Sequence, residues 1–143
     1  MERPVRSIIE DQHPLTASAD MTVAAASRLM KEKRVGAILI VDNGRLAGIF
    51  TERDAVFRVI AEGRSPETTR LAEVMTANPR TMAPDRPFGH ALHLMYEGGF
   101  RHVPVVDDGR PIGMVSARDA LGPDLQQFIS DLDQRGHIAE ILR

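Results

Sequence analysis

Two short stretches of this chain carry the residues with chemistry to offer. Thr51-Glu52-Arg53-Asp54 and Ser116-Ala117-Arg118-Asp119 each set a hydroxyl three positions ahead of a carboxylate, with a guanidinium just before the acid. At a helix start, that spacing forms a capping box, in which each side chain satisfies a backbone N–H of the other residue. The same groups suit a nucleotide. Free N–H groups at a helix N-terminus attract phosphate. An Asp carboxylate can accept both hydroxyls of a ribose, and Arg53 or Arg118 can reach a phosphate. Nothing comparable points to catalysis. Glu52 has no nucleophile to activate, and no phosphate-binding loop, Ser-His-Asp arrangement or dinucleotide glycine pattern occurs. The chain has no Cys, which removes thiolate chemistry and Cys-based zinc sites. His90 and His93 stand three apart on a predicted helix, but no third ligand accompanies them, so they read as a solvated face. The expectation is a binding protein, not an enzyme, with no metal.

An internal repeat explains why the motif occurs twice. Shifted by 65 positions, residues 14–55 fall on 79–120 without a gap and with 15 identities over 42 positions. The matches include Pro14 with Pro79, Asp20 with Asp85, Gly44-Arg45 with Gly109-Arg110, Gly48 with Gly113, and Arg53-Asp54-Ala55 with Arg118-Asp119-Ala120. Each repeat reads as strand, helix, strand, strand, helix. Thr16 and Thr81 lie in short extended segments. Asp20 and Asp85 are candidate N-caps, and Pro87 fits a first helical turn. Val23, Ala26, Leu29 and Met30 have helical spacing, as do Phe88, Ala91, Leu92 and Met95. Apolar runs at 37–41 and 103–106 are too short for helices. Asp42-Asn43-Gly44 and Asp107-Asp108-Gly109 are hairpin turns leading to strands at 46–50 and 112–115. Pro104 and Pro111 suggest edge positions.

These elements divide the chain into repeat one at 5–61, a linker at 62–69 with Gly63, Ser65 and Pro66, repeat two at 70–122, and a C-terminal helical extension at 123–143 with Leu125, Phe128, Ile129 and Leu132. A unit of roughly 50 residues buries little surface alone, so the repeats should pack face to face. Hydrophobic residues are 43% of the 143 and the net charge is −2, which argues for a packed core and against a nucleic-acid or anionic-membrane binder. No stretch has the length of a membrane span or a signal-peptide core, so the chain reads as cytoplasmic.

The segments Gly48-Ile49-Phe50-Thr51-Glu52-Arg53-Asp54, Gly113-Met114-Val115-Ser116-Ala117-Arg118-Asp119 and Arg101-His102-Val103-Pro104-Val105-Val106-Asp107 resemble the CBS domain (Bateman module) family, over roughly residues 5–122. The overall layout resembles short stand-alone bacterial members. The resemblance implies a mixed α/β (α+β) fold, two β-α-β-β-α repeats about a pseudo-twofold axis. It also implies an adenine nucleotide between the repeats: AMP first, with ADP, ATP, NAD or S-adenosylmethionine as alternatives. Such modules dimerise and signal to a regulated protein, here unknown. The competing reading is a dimeric scaffold whose cleft is vestigial. By the family's pattern, a site on Ser116, Arg118 and Asp119 has Val35 and Gly36 at the adenine edge, Met114 on its other face, and Arg101 and His102 near the phosphates. The mirrored site, on Ile49, Thr51, Arg53 and Asp54, has Phe100 and Arg101 as its wall and Gly36 or Ala37 where a phosphate-side cation would stand. Its bulkier wall and lower charge favour the Ser116/Asp119 site.

Overall fold

The computed structural model describes residues 3–122 and Asp131; the expected C-terminal helix otherwise lies outside the described residues. The first repeat contains β1 (Thr16–Ala17), α2 (Val23–Lys33), β2 (Ala37–Asp42) and β3 (Arg45–Thr51), with α1 (Val5–Ile9) before them. A single turn, α3 (Glu52–Asp54), then widens into a π-helical segment, Ala55–Ile60. The second half begins with α4 (Leu71–Val74) and β4 (Thr76–Ala77). It continues through α5 (Phe88–Gly98), β5 (His102–Asp107) and β6 (Arg110–Ser116) to a 3₁₀ turn, Ala117–Leu121. Among the described residues no helix is long and apolar enough to cross a membrane.

The repeat seen in the sequence is a repeat in space. In the first, β1 runs parallel to β2 with Ala17 opposite Ile40, and β2 pairs antiparallel with β3. In the second, Met82 bridges Val105 in parallel and β5 pairs antiparallel with β6. Met82 and Val105 are Ala17 and Ile40 shifted by 65. Both hairpins turn on two residues with positive φ: Asn43 (53°) and Gly44 (78°), Asp108 (51°) and Gly109 (78°). That geometry matches the twist of the flanking strands. Both ladders slip register just after the buried residue, at Ile40/Val41 and Val105/Val106. Pro111 faces Val106 at this slip, where a missing N–H is tolerated. Pro104 lies inside β5, flanked beyond by the Met82 bridge alone; its carbonyl accepts the Met82 N–H at 3.1 Å.

The helix starts differ from expectation. Thr22, not Asp20, caps α2: its hydroxyl accepts the Ala25 N–H at 3.2 Å. Asp20 sits in the preceding turn, where its N–H bonds the Ser18 hydroxyl. Pro87 occupies the cap position of α5, and Asp85 instead pairs with Arg6 at 2.9 Å. The first N–H of each helix meets a backbone carbonyl from outside the helix: Phe88 donates to Arg3 and Val23 to Thr69.

The repeats also exchange their leading helices. Val5 and Ile9 of α1 are buried with Phe88, Leu94, Met95, Val103 and Val115 of the second repeat. Leu71 and Val74 of α4 are buried with Val23, Met30, Phe50 and Val59 of the first. After α4, β4 extends the first sheet, with Gly48 opposite Ala77. At the equivalent place beside β6, the Gln12 side chain accepts the Met114 N–H at 2.9 Å. Glycine permits both approaches: a Cβ on Gly113 would stand 2.6 Å from the Ile9 Cβ, and one on Gly48 would stand 2.6 Å from the Met75 sulfur. The hairpin tips complete the pseudo-twofold. Arg45 donates to the Asp108 carbonyl at 3.1 Å, and Arg110 lies against Gly44. A third cluster of Ala37, Leu39 and Ile49 receives Met114 at the seam.

Gly113→Ala should therefore cost about 1–3 kcal/mol of overpacking and lower the Tm by several degrees. Gly122→Ala is the control, since a Cβ there meets nothing within 4 Å and its φ is −50°. Equal melting temperatures for the two variants would refute the role assigned to Gly113.

Candidate functional site

The motif Thr51–Asp54 begins where β3 ends. The Thr51 N–H donates to Asp54 Oδ2 at 2.9 Å, and the Asp54 N–H donates to Thr51 Oγ1 at 3.2 Å, completing the capping box. The Thr51 hydroxyl also lies 3.1 Å from Asp54 Oδ2. The Glu52 N–H donates to the Gly36 carbonyl. The second motif repeats this: the Ser116 N–H donates to Asp119 Oδ2 at 2.7 Å, and the Ala117 N–H to the Arg101 carbonyl. Most amides of these turns are thus already engaged within the chain. Any anion at either turn has to be recognised chiefly by side chains, a change from the helix-terminus role expected of the sequence.

One cavity of about 740 Å³ opens between the repeats above the first motif. Ile49, Thr51, Arg53 and Asp54 form one side, and Phe100, Arg101 and His102 the other. This volume lies within the range of about 300–1,000 Å³ usual for small-molecule sites. Gly98 sets the Phe100 ring: a side chain at Gly98 would overlap it. The Arg53 guanidinium crosses the cleft to the Gly99 carbonyl at 3.1 Å and lies over the Phe57 ring at 5.5 Å. Arg53 is thus tied to both walls.

Arg101, expected near the phosphates of a Ser116/Asp119 site and in the wall of the mirrored one, lines the cavity of the first motif, as does His102. Val35, Met114, Ser116, Arg118 and Asp119 are not in its lining. Val35 packs on the first repeat's core and Met114 at the seam. The Asp119 carbonyl accepts from Arg3 at 2.6 Å. At Gly36, where room for a base was expected, a Cβ would stand 3.0 Å from Glu52 Oε1 and 3.5 Å from His102 Nε2. His93, set aside as solvated, pairs with Glu97 at 2.7 Å on an exposed face.

Thr76, Asn78, Pro79 and Arg80 also line the cavity and were not singled out from the sequence. They follow the exchanged helix α4, which carries them back to the first repeat. The only sequence sign of this was the apolar pair Leu71 and Val74, three apart just after the linker. Three guanidiniums, Arg53, Arg80 and Arg101, therefore face two carboxylates, Glu52 and Asp54. Asp54 is also 3.5 Å from Arg58 Nε.

Burial pushes the His102 imidazole below its ordinary value of 6.5, outweighing Glu52 and Asp119, which pull upward; Arg101 and Arg118 add to the lowering. Burial thus disfavours the charged form of His102, which was expected near the phosphates.

The model of the CBS domain family matches residues 5–61 and 71–122. The chain is 42% identical over 126 residues to the CBS domain-containing protein CBSCBSPB2 of Arabidopsis thaliana, covering 87% of this chain and 24% of that one. It spans 20% and 23% of two further Arabidopsis proteins of the same kind. Among solved structures, a protein with CBS domains from Burkholderia ambifaria MC40-6 is 35% identical with a TM-score of 0.76, over 90% of this chain and 96% of that one. The CBS domain pair of protein MJ0100, solved in complex with 5′-methylthioadenosine and S-adenosyl-L-methionine, is 27% identical with a TM-score of 0.78, over 89% and 99%.

The low His102 value makes a pH prediction. Between the native value and about 6.5, the unfolded chain holds more protons, so this contribution to stability is present above about 6.5 and lost as pH falls through the native value. Urea midpoints at about pH 7.5 and about pH 5 should diverge more for the wild type than for His102→Gln. The same divergence in both proteins would contradict this assignment.

Proposed function

The chain belongs to the CBS domain family in two tandem copies, and on that premise we propose that it is a regulatory module, without catalysis, that binds an adenine nucleotide and passes its occupancy to a partner protein. The observation that carries the reading is the cleft of about 740 Å³ that joins a ribose-competent capping box to three guanidiniums. Ile49, Pro79 and Phe100 offer apolar surface to a base. Asp54 offers a carboxylate to ribose hydroxyls. The cationic surplus favours an anionic ligand. AMP, ADP, ATP and NAD fit that charge better than S-adenosylmethionine, which carries a sulfonium. MJ0100, complexed with S-adenosyl-L-methionine, supports an adenosyl ligand in this fold without fixing which one this chain takes.

We assign the ligand to the Thr51/Asp54 cleft. Shifting by 65 positions puts Leu15 in the place of Arg80, Gly36 in that of Arg101 and Ala37 in that of His102, leaving Arg34 and Arg118 on the Ser116/Asp119 side beside Arg3, which is bonded to the Asp119 carbonyl. This reverses the preference drawn from the motifs alone, because the exchanged segment adds Arg80 where the repeat comparison placed no cation. We also propose that the chain is a homodimer. Val56, Phe57 and Ile60 are 48%, 56% and 69% exposed on the π-helical segment, and a second copy would cover them. Light scattering at micromolar concentration should give twice the chain mass; a monomer would exclude this.

AMP, ADP, ATP or NAD should raise the Tm, and guanine nucleotides should not. A ligand at about 100 times its Kd adds roughly 2.7 kcal/mol. Asp54→Ala should weaken binding about ten-fold or more. Asp119→Ala breaks the equivalent cap and should cost similar stability with little loss of affinity. Calorimetric titration separates the two. Equal affinities would move the ligand from this cleft, and no thermal shift with any adenine nucleotide would favour a scaffold.

A further inference from the structure

We infer that Arg58 is a positioning residue of this cleft, aiming the Asp54 carboxylate into it and fastening it to the segment that follows α4. The inference rests on the nucleotide reading above. Arg58 lies in the π-helical segment, behind the cleft and outside its lining. Its Nε stands 3.5 Å from Asp54 Oδ1. Its Nη1 donates to the carbonyls of Val74 at 3.3 Å and Met75 at 3.2 Å.

These contacts join two things a ligand needs. The first is the direction of the carboxylate. Oδ2 of Asp54 is held by the Thr51 N–H and hydroxyl, and Oδ1 by Arg58, so the group is constrained at both oxygens. Without Arg58, only the capping box orients it. The second is the wall segment beside the motif. Val74 ends α4, and the carbonyls at a helix C-terminus have no partners within the helix. A cation there satisfies them and complements the helix dipole. Directly beyond Met75 comes Thr76, paired with Ile49 beside the motif, and then Asn78, Pro79 and Arg80, all lining the cleft. One guanidinium thus connects the ribose acceptor to the neighbouring wall segment that carries Arg80. Only a planar fork with several donors can serve the carboxylate and both carbonyls together; the ammonium of Lys is a point charge on a flexible stem. The repeat offers no copy of this device, because shifting position 58 by 65 gives Pro123. The asymmetry of the two clefts therefore extends to how firmly their carboxylates are held.

The test compares AMP, ADP and ATP with their 2′-deoxy counterparts by calorimetric titration, in the wild type, Arg58→Met and Arg58→Lys. If Arg58 aims Asp54 at the ribose, Arg58→Met weakens the ribonucleotides about ten-fold or more and the deoxynucleotides much less, so the ratio of their affinities falls toward one. Arg58→Lys falls between Met and wild type, and it carries the comparison alone if Arg58→Met does not fold. A merely structural Arg58 lowers both affinities by the same factor and leaves the ratio unchanged, which overturns the inference. So does a wild type that binds both sugars equally. A wild type that binds none of the three ribonucleotides overturns the nucleotide reading itself, a result distinct from the other two.

Discussion

Ile9 rests where a side chain on Gly113 would be, and Met75 does the same at Gly48. These two close approaches hold the rest of the molecule in place. Each repeat on its own is a hairpin, a helix and a short parallel strand, with one apolar face left open. A unit of that size buries too small a fraction of its surface to be stable. The missing layer comes from the other repeat: α1 closes the second core and α4 the first. The seam cluster around Leu39, Ile49 and Met114 and the contact between hairpin tips then fix the angle of the two halves. The cleft is a by-product of this exchange, since the segment that follows α4 becomes its outer wall.

Within the cleft, the polar groups divide their work between fold and ligand. The capping box already uses the Thr51 and Asp54 amides, and the Gly36 carbonyl uses that of Glu52. A buried donor left without a partner is costly, so these bonds stabilise the turn whether or not a ligand is present. Recognition of the proposed anionic ligand therefore falls to guanidiniums, which can reach across the cleft. His102 shows the complementary case. Its burial beside Glu52 and Gly36 disfavours the charged imidazole.

Much of this was legible because the relevant signals are local. Asn43-Gly44 and Asp108-Gly109 demand left-handed backbone, and the hairpins follow. The hydroxyl–acid spacing of Thr51 and Asp54 yields its capping box for the same reason. The box occurs twice, and the internal repeat gave the order of elements in both halves. The misses are non-local. Asp20 and Asp85 looked like caps, but Thr22 stands closer to the true start of α2, and Pro87 holds the cap position of α5. Arg80 drew no notice because only the exchange of α4 brings the segment that follows it beside the first repeat, a contact that sequence proximity does not show. The helix after Thr51 was foreseen, but not its π geometry, in which the Ala61 N–H reaches back five residues to Val56.

The exchange of leading helices also dictates the order in which the chain can become native. Gln12 and Met114, which meet beside β6, are 102 positions apart, and Arg3 meets Asp119 across 116. During synthesis, the first repeat emerges with α1 lacking its docking surface and with its own core lacking α4. At about 5–20 residues per second, roughly 5–20 s pass before the last strand is available. Contacts this distant in sequence slow folding and leave apolar surface exposed meanwhile. Repeat-by-repeat folding is therefore closed to this chain. The two halves become native together, and a truncation that spares every residue of one repeat still leaves that repeat without a wall.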